Sequence, residues 1–294
     1  MKITLLGTGN PAPSLKRMGP GYMVEVAGDT IVFDHGPGSH HRLLETGTKA
    51  TDVTHAFFTH LHYDHFVDFP RLLLTRWDHG AARIPELKVY GPKPIKRLVD
   101  RLIGPDGVFG PDLEARTTWD ASLHVYRARG GKEPRLKPAP EVVEIGKGSV
   151  VETGKWRVTA VEVPHAQPAL TCLALRLDSD AGSMVYTGDT GPSKALEALA
   201  KGCDVLIHMC AYISGSVDNE ATRIGTSGHL EAARTAAAAG ARRLVASHIY
   251  NQFDRPGVRE KVIAEMARVY DGVIVFGEDL MQLTADPEKP GIFR

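Results

Sequence analysis

The chain has 294 residues and a mass of 31.9 kDa, with 43% hydrophobic and 24% charged residues. That composition excludes disorder, collagen-like repeats and coiled coil. Lys+Arg 35 balances Asp+Glu 35, so there is no global positive field to gather a polyanion. Three scattered cysteines (Cys172, Cys203 and Cys210) build no disulfide framework and suit a reducing compartment. At the start only Met1, Ile3, Leu5 and Leu6 are apolar before Gly7, short of the roughly 7–15 apolar residues of a secretory signal. No run approaches the roughly 20 apolar residues that span a bilayer. These features predict a cytoplasmic protein with no membrane contact.

In chain order, the first third predicts strands over Lys2–Leu6, Gly21–Val26, Thr30–Phe33 and Val53–Thr59, each rich in apolar or β-branched residues and closed by Gly, Pro or a polar residue. His40–Thr46 reads as a short helix stopped by Gly47. Phe66–Trp77 and Pro94–Leu102 are helical by apolar spacing, with Pro70 confined to a first turn. Residues 104–140 hold five prolines and five glycines, which predicts a loop-rich excursion before strand sequence resumes at Val142. Strands follow at Trp156–Val163, Leu170–Leu177 and Ser183–Thr187, then a helix over Lys194–Lys201. Strand Val205–His208, helix Leu230–Ala239, strand Arg243–Ser247, helix Val258–Tyr270 and strand Val273–Phe276 complete the pattern. Strand pairs first and strand–helix alternation later predict one layered α/β domain over residues 1–294.

The chemistry concentrates after the strand Val53–Thr59, in His60-Leu61-His62-Tyr63-Asp64-His65. Imidazole nitrogens and carboxylate oxygens are ligands for zinc and similar ions. On an extended turn alternate residues point the same way, so His60 and His62 grip one ion while Asp64 and His65 face a second position. A merely solvated, histidine-rich turn is the poorer account of four ligand-type residues in six. Further candidates are His165 after Trp156–Val163, Asp189 in Thr187-Gly188-Asp189-Thr190-Gly191, and His248 after Arg243–Ser247. Each follows the carboxyl end of a strand, where layered α/β folds place their chemistry.

This pattern resembles the metallo-β-lactamase fold hydrolases over nearly the whole chain. Leu6-Gly7-Thr8-Gly9, Phe33-Asp34-His35-Gly36-Pro37-Gly38, the Asp189 turn and Gly228-His229-Leu230 are similar to the ribonuclease Z and arylsulfatase-like branch. The resemblance implies an αβ/βα four-layer sandwich with metals at one edge. It also implies that His60, His62 and His165 hold one divalent ion, that Asp64, His65 and His248 hold another, and that Asp189 bridges them. Zinc is expected, with manganese or iron as alternatives, and a homodimer is implied. Such an ion pair shares and acidifies a water and polarises the bond under attack. Asp64 then accepts a proton and His229 faces the scissile group, unless His229 only caps the following helix. Asp34 is expected to orient a metal ligand from behind. His35 has no assigned role, and His208 is read as structural.

Departures from the ribonuclease Z pattern weigh on the substrate. Asp189 follows His165 by 24 residues, which leaves no room for the long arm that grips transfer RNA in that family. Met209 stands after His208, where the family has an acidic residue. The expectation is therefore a hydrolase of a small phosphodiester or aryl ester, phosphodiesterase- or arylsulfatase-like, with nucleic acid disfavoured. Alternatives are a transfer-RNA 3′ endonuclease, a hydrolytic dehalogenase of an aryl halide and, last, a metal-binding module without turnover. The 104–140 excursion, with Arg127, Arg129 and Arg135, either overhangs the metals or decorates the surface. Tyr212, Phe109, Trp77 and Trp119 are candidates for an apolar pocket.

Overall fold

A computed structural model describes residues 1–286 and the strand Ile292–Phe293, and the remaining residues lie outside the description. Two sheets face each other. The first runs through β1 (Lys2–Gly7), β2 (Gly21–Val26), β3 (Asp29–His35), β4 (His55–Phe57), β5 (Lys88–Gly91) and β6 (Glu141–Glu144) as neighbours in that order. The second runs through β7 (Val150–Glu152), β8 (Trp156–Glu162), β9 (Leu173–Ser179), β10 (Gly182–Tyr186), β11 (Val205–Met209), β12 (Arg243–Ser247) and β13 (Val273–Phe276). The chain then returns to the first sheet, where β14 (Gln282–Thr284) pairs with β1 and β15 (Ile292–Phe293) pairs with β14. Each sheet is mixed, antiparallel in its first strands and parallel from β3 to β6 and from β10 to β13.

Strand periodicity of two explains the layers. Ile31 and Phe33 of β3, Tyr22 and Val24 of β2, Leu173, Leu175 and Leu177 of β9 and Val245 of β12 all point into the core between the sheets. The alternate residues serve the outer layers. Met23 and Val32 meet helices α1 (Ser39–Glu45), α3 (Phe69–Gly80) and α4 (Ile95–Ile103). Ala174, Leu244 and Ala246 meet helices that include α9 (His229–Ala239), whose buried stripe is Ala232, Ala233, Ala236 and Ala239. With both sheet faces covered, strands read as nearly continuous apolar runs. The result is the four-layer αβ/βα sandwich. Among the described residues no helix is long and apolar enough to cross a membrane.

Three local expectations need correction. The strand predicted over Val53–Thr59 is only β4, because residues 50–52 form a 3-10 turn and Thr59 leaves the ladder to bind Asp34. The helix predicted over Phe66–Trp77 is two helices, α2 (Tyr63–Phe66) and α3, with Pro70 in the first turn of the second. The excursion 104–140 has irregular ends, but its middle folds as a helical pair that the sequence did not disclose, α5 (Gly110–Thr118) and α6 (Asp120–Ala128). Its Pro111 falls in a first turn, where a proline needs no N–H partner.

Candidate metal centre

Carboxyl ends of strands from both sheets deliver the seven ligand-type side chains to one edge. The turn after β4 brings His60 and His62, and α2 brings Asp64 and His65. His165 follows β8, Asp189 follows β10 and His248 follows β12. They form two sets whose donor atoms lie within 4.8 Å of one another: His60, His62, His165 and Asp189; and Asp64, His65 and His248. Asp189 stands between them. Its Oδ2 lies 3.6 Å from His165 Nε2 and 3.1 Å from His248 Nε2, and its Oδ1 lies 3.4 Å from His65 Nε2. Asp64 Oδ2 is 3.5 Å from both His65 Nε2 and His248 Nε2.

The hydrogen bonds behind these rings leave lone pairs facing inward. Thr59 Oγ1 donates to Asp34 Oδ2, so His60 Nδ1–H donates to Thr59 Oγ1 at 3.1 Å and Nε2 is bare. His165 Nδ1–H donates to the Gly225 carbonyl at 2.7 Å, which frees its Nε2. Those two nitrogens approach His62 Nδ1 to 2.9 and 3.3 Å. His65 Nδ1–H donates to Asp34 Oδ2 at 2.7 Å. Its Nε2, both ring nitrogens of His248, Asp64 Oδ2 and Asp189 Oδ1 are buried without a hydrogen-bond partner. Buried polar atoms are nearly always partnered, so this many orphans on one small volume fit a cation.

The electrostatics agree. Burial alone would lower the pKa of His65, but the Asp189 and Asp34 carboxylates outweigh it and hold the imidazole well above its ordinary value. His248 is pushed up to about 9 against its burial, chiefly by Asp189. Burial and His65 drive His60 well below the ordinary value, and burial with His165 lowers His62. Asp189 is held well below the usual carboxylate range, its burial overcome by His248 and His65. The carboxylates demand positive charge, and the bare protein can supply it only by protonating rings whose lone pairs would otherwise serve as ligands.

Asp34 sits behind the cluster, fully buried, and accepts from Thr59 N–H, Thr59 Oγ1–H, His65 Nδ1–H and Tyr186 O–H. His229, by contrast, does not reach the cluster. It is completely buried, its Nδ1 accepts from the Ser214 N–H at 3.0 Å, and its Nε2 meets Glu265 at 2.8 Å. It does not cap α9 through its side chain either, since the cap residue is Gly228. His208 donates from Nδ1 to the Met209 carbonyl, and burial pushes its pKa down to about 4. His35 pairs with His40.

A cavity of about 570 Å³ opens beside the cluster, with His62, His165, Asp189 and His248 on one side. The rest of its lining includes apolar Met209, Tyr212, Val217 and Tyr250 and neutral polar Ser216, Thr222 and Asn251, and none of the described residues lining it is Lys or Arg. Tyr212 thus lies where the pocket was expected. Phe109 and Trp77 pack against the outer core, Trp119 is 65% exposed, and nothing from the 104–140 excursion lines the cavity. Sequence reading missed helix α8 (Glu220–Gly225), whose last residue holds His165. Asn219, which accepts from Thr222 N–H as its cap, was the available signal.

The fold and this edge cluster define a metallo-hydrolase. The chain belongs to the beta-lactamase superfamily, whose domain model matches residues 29–249, and it is a hydrolase of the metallo-β-lactamase fold. Within that superfamily it is 30% identical to a protein named ribonuclease Z from Mycobacterium bovis, over 98% of this chain and all of the relative. Among solved structures it is similar to the metallo-beta-lactamase fold protein YhfI from Bacillus subtilis, with a TM-score of 0.72 at 19% identity over 96% and 98% of the two chains. It is also similar to the short form of human tRNase Z, with a TM-score of 0.68 at 20% identity over 97% and 99%.

Proposed function

We propose that the protein hydrolyses phosphodiester bonds, with RNA as the leading substrate. The full-length likeness to proteins named ribonuclease Z carries the RNA reading. The convergence of seven ligand-type side chains on one edge carries the hydrolysis. The relatives therefore reverse the order expected from sequence, in which a small ester ranked first.

His60, His62 and His165 would hold one divalent ion, Asp64, His65 and His248 a second, and Asp189 would touch both. Zinc suits these ligands best, and manganese or iron also fit. When bound, such ions lower the pKa of a water and polarise the phosphoryl group. The protein's own share is to aim its donors. Asp34 fixes the proton of His65 on Nδ1, Thr59 does the same for His60, and the Gly225 carbonyl does it for His165. Asp64 would take a proton from the attacking water, a role supported by its Oδ2 being buried without a hydrogen-bond partner. His229 is given no catalytic part, because both ring nitrogens are engaged elsewhere.

A second reading, a small phosphodiester with an apolar or aromatic leaving group, is favoured by one observation. The cavity lining includes Met209, Tyr212, Val217 and Tyr250, and none of the described residues in it is a Lys or Arg to meet a polynucleotide backbone. A single panel separates the two: precursor transfer RNA with a 3′ trailer, bis(p-nitrophenyl) phosphate and p-nitrophenyl sulfate, given to metal-replete protein. Cleavage of the trailer supports the ribonuclease reading. Turnover of the small diester alone moves the assignment to the second reading. Inertness toward all three, with metal bound, would defeat both.

A further inference from the structure

Two buried tyrosines cross the core between the sheets in opposite directions. Tyr22, on β2 of the first sheet, shares a 2.7 Å hydrogen bond with the Ser247 hydroxyl at the end of β12 in the second. Tyr186, at the end of β10 in the second sheet, donates at 2.8 Å to Asp34 on β3 in the first. Their rings lie against each other with centroids 4.4 Å apart. Tyr22 is 0% and Tyr186 3% exposed, so neither hydroxyl can turn to water instead.

Both bonds land beside the cluster. Asp34 accepts from His65 Nδ1–H, and Ser247 immediately precedes His248. His248 holds a left-handed backbone, φ 57°, which a residue with a side chain adopts only when its surroundings fix it. His65 comes with the first sheet and His248 with the second, and the two rings stack with centroids 5.5 Å apart. Whatever sets the distance between the sheet edges therefore sets the opening between these two ligands.

We propose that Tyr22 and Tyr186 are positioning residues for the metal centre. Their reciprocal ties fix the spacing of the two sheet edges and so hold His65 and His248 around the position they share with Asp64. This rests on reading the cluster as a metal centre. The other position depends on the ties less directly, because its rings are aimed by Thr59 and by the Gly225 carbonyl. Loss of a tie should therefore loosen one ion and spare the other.

The test compares wild type with Tyr186→Phe, Tyr22→Phe and Ser247→Ala, the last breaking the Tyr22 tie from its far end. Tyr270→Phe serves as the control, since it loses an equally buried hydroxyl bond, to the Ala241 carbonyl, outside the cluster. Each protein, loaded with zinc and in parallel with cobalt(II), is titrated with EDTA while metal per chain and the cobalt absorption bands are followed. The expected result is that one ion leaves at roughly 10–100-fold lower chelator in Tyr186→Phe. Tyr22→Phe and Ser247→Ala should shift in the same direction, and Tyr270→Phe should match wild type. Retention equal to wild type in all three variants, or parallel loss of both ions, overturns the proposal. A wild type that binds no metal would instead sink the metal-centre reading itself. If Tyr186→Phe fails to fold, Tyr22→Phe and Ser247→Ala still decide.

Discussion

The cluster and the rest of the cavity lining border one opening, yet they are built by different rules. The cluster is a set of carboxylate and imidazole groups drawn from both sheets, and three of its rings, those of His60, His65 and His165, are aimed by a hydrogen bond from behind. The rest of the lining mixes apolar Met209, Tyr212, Val217 and Tyr250 with neutral polar Ser216, Thr222 and Asn251, and the Tyr212 hydroxyl donates to the Thr226 carbonyl. The cluster tolerates little variation, because a metal position needs particular atoms at particular distances. The rest of the lining supplies shape and neutral surface rather than fixed ligand distances, so it can change without touching the chemistry. On the proposed function, reactivity belongs to the cluster and selectivity to the rest of the lining, and each can be broken alone.

The largest break comes from the cluster. Asp64→Ala removes both the proposed proton acceptor and a ligand, so turnover should fall by at least the 10²–10⁴-fold typical of a lost general base. Elemental analysis should show metal per chain falling with it. Unchanged turnover would remove Asp64 from the chemistry.

Metal removal should expose the charge balance as a pH dependence. A histidine whose folded pKa is raised adds stability that is complete below its unfolded value near 6.5 and is lost as pH rises through the folded value. His65 and His248 are of this kind, with His248 at about 9. His60 and His62, whose values are lowered, work the other way and cost stability only below pH near 6.5. Metal-free protein should therefore be most stable near pH 6–7 and lose on the order of a few kcal/mol by pH 9. Metal-loaded protein should not show that decline, because a bound ion replaces the protons. Denaturant midpoints at pH 6.5 and 9, with and without chelator, measure this. A flat profile for the metal-free protein would mean that the carboxylates do not hold those protons.

The wall should respond in binding rather than in chemistry. Val217→Asp places a charge on the apolar side, and KM for an aryl phosphodiester should rise about 10-fold or more while kcat and metal content hold. If kcat falls with unchanged KM, the cavity wall is not the binding surface.

What the sequence disclosed follows the same division. The cluster was legible because ligand chemistry leaves few alternatives: His60, His62, Asp64 and His65 are crowded into six residues, and His165, Asp189 and His248 each follow an apolar strand. The strands of the sandwich were legible for a similar reason, since sheets covered on both faces, as at β3 and β9, need nearly continuous apolar runs. The partners of His229, Ser214 and Glu265, were not legible, because they lie 15 and 36 residues away, where spacing says nothing. Tyr22 and Tyr186 looked like ordinary core aromatics, and only the meeting of the sheets gives their hydroxyls a purpose. Prolines and glycines in residues 104–140 suggested loops, since nothing local said that Pro111 would open a helix.

That excursion supplies the smallest effect and the sharpest control. Trp119 is 65% exposed between α5 and α6, and it lines neither the cluster nor the 570 Å³ cavity. If reactivity and selectivity are confined to those two places, Trp119→Ala should leave kcat, KM on a small diester and metal content unchanged. Stability should move by no more than about 0.5 kcal/mol, as for surface substitutions away from special contacts. A changed KM for precursor transfer RNA, with the small diester unaffected, would add a third region to the comparison. It would place substrate contact on the helical pair, outside the cavity that the small diester enters.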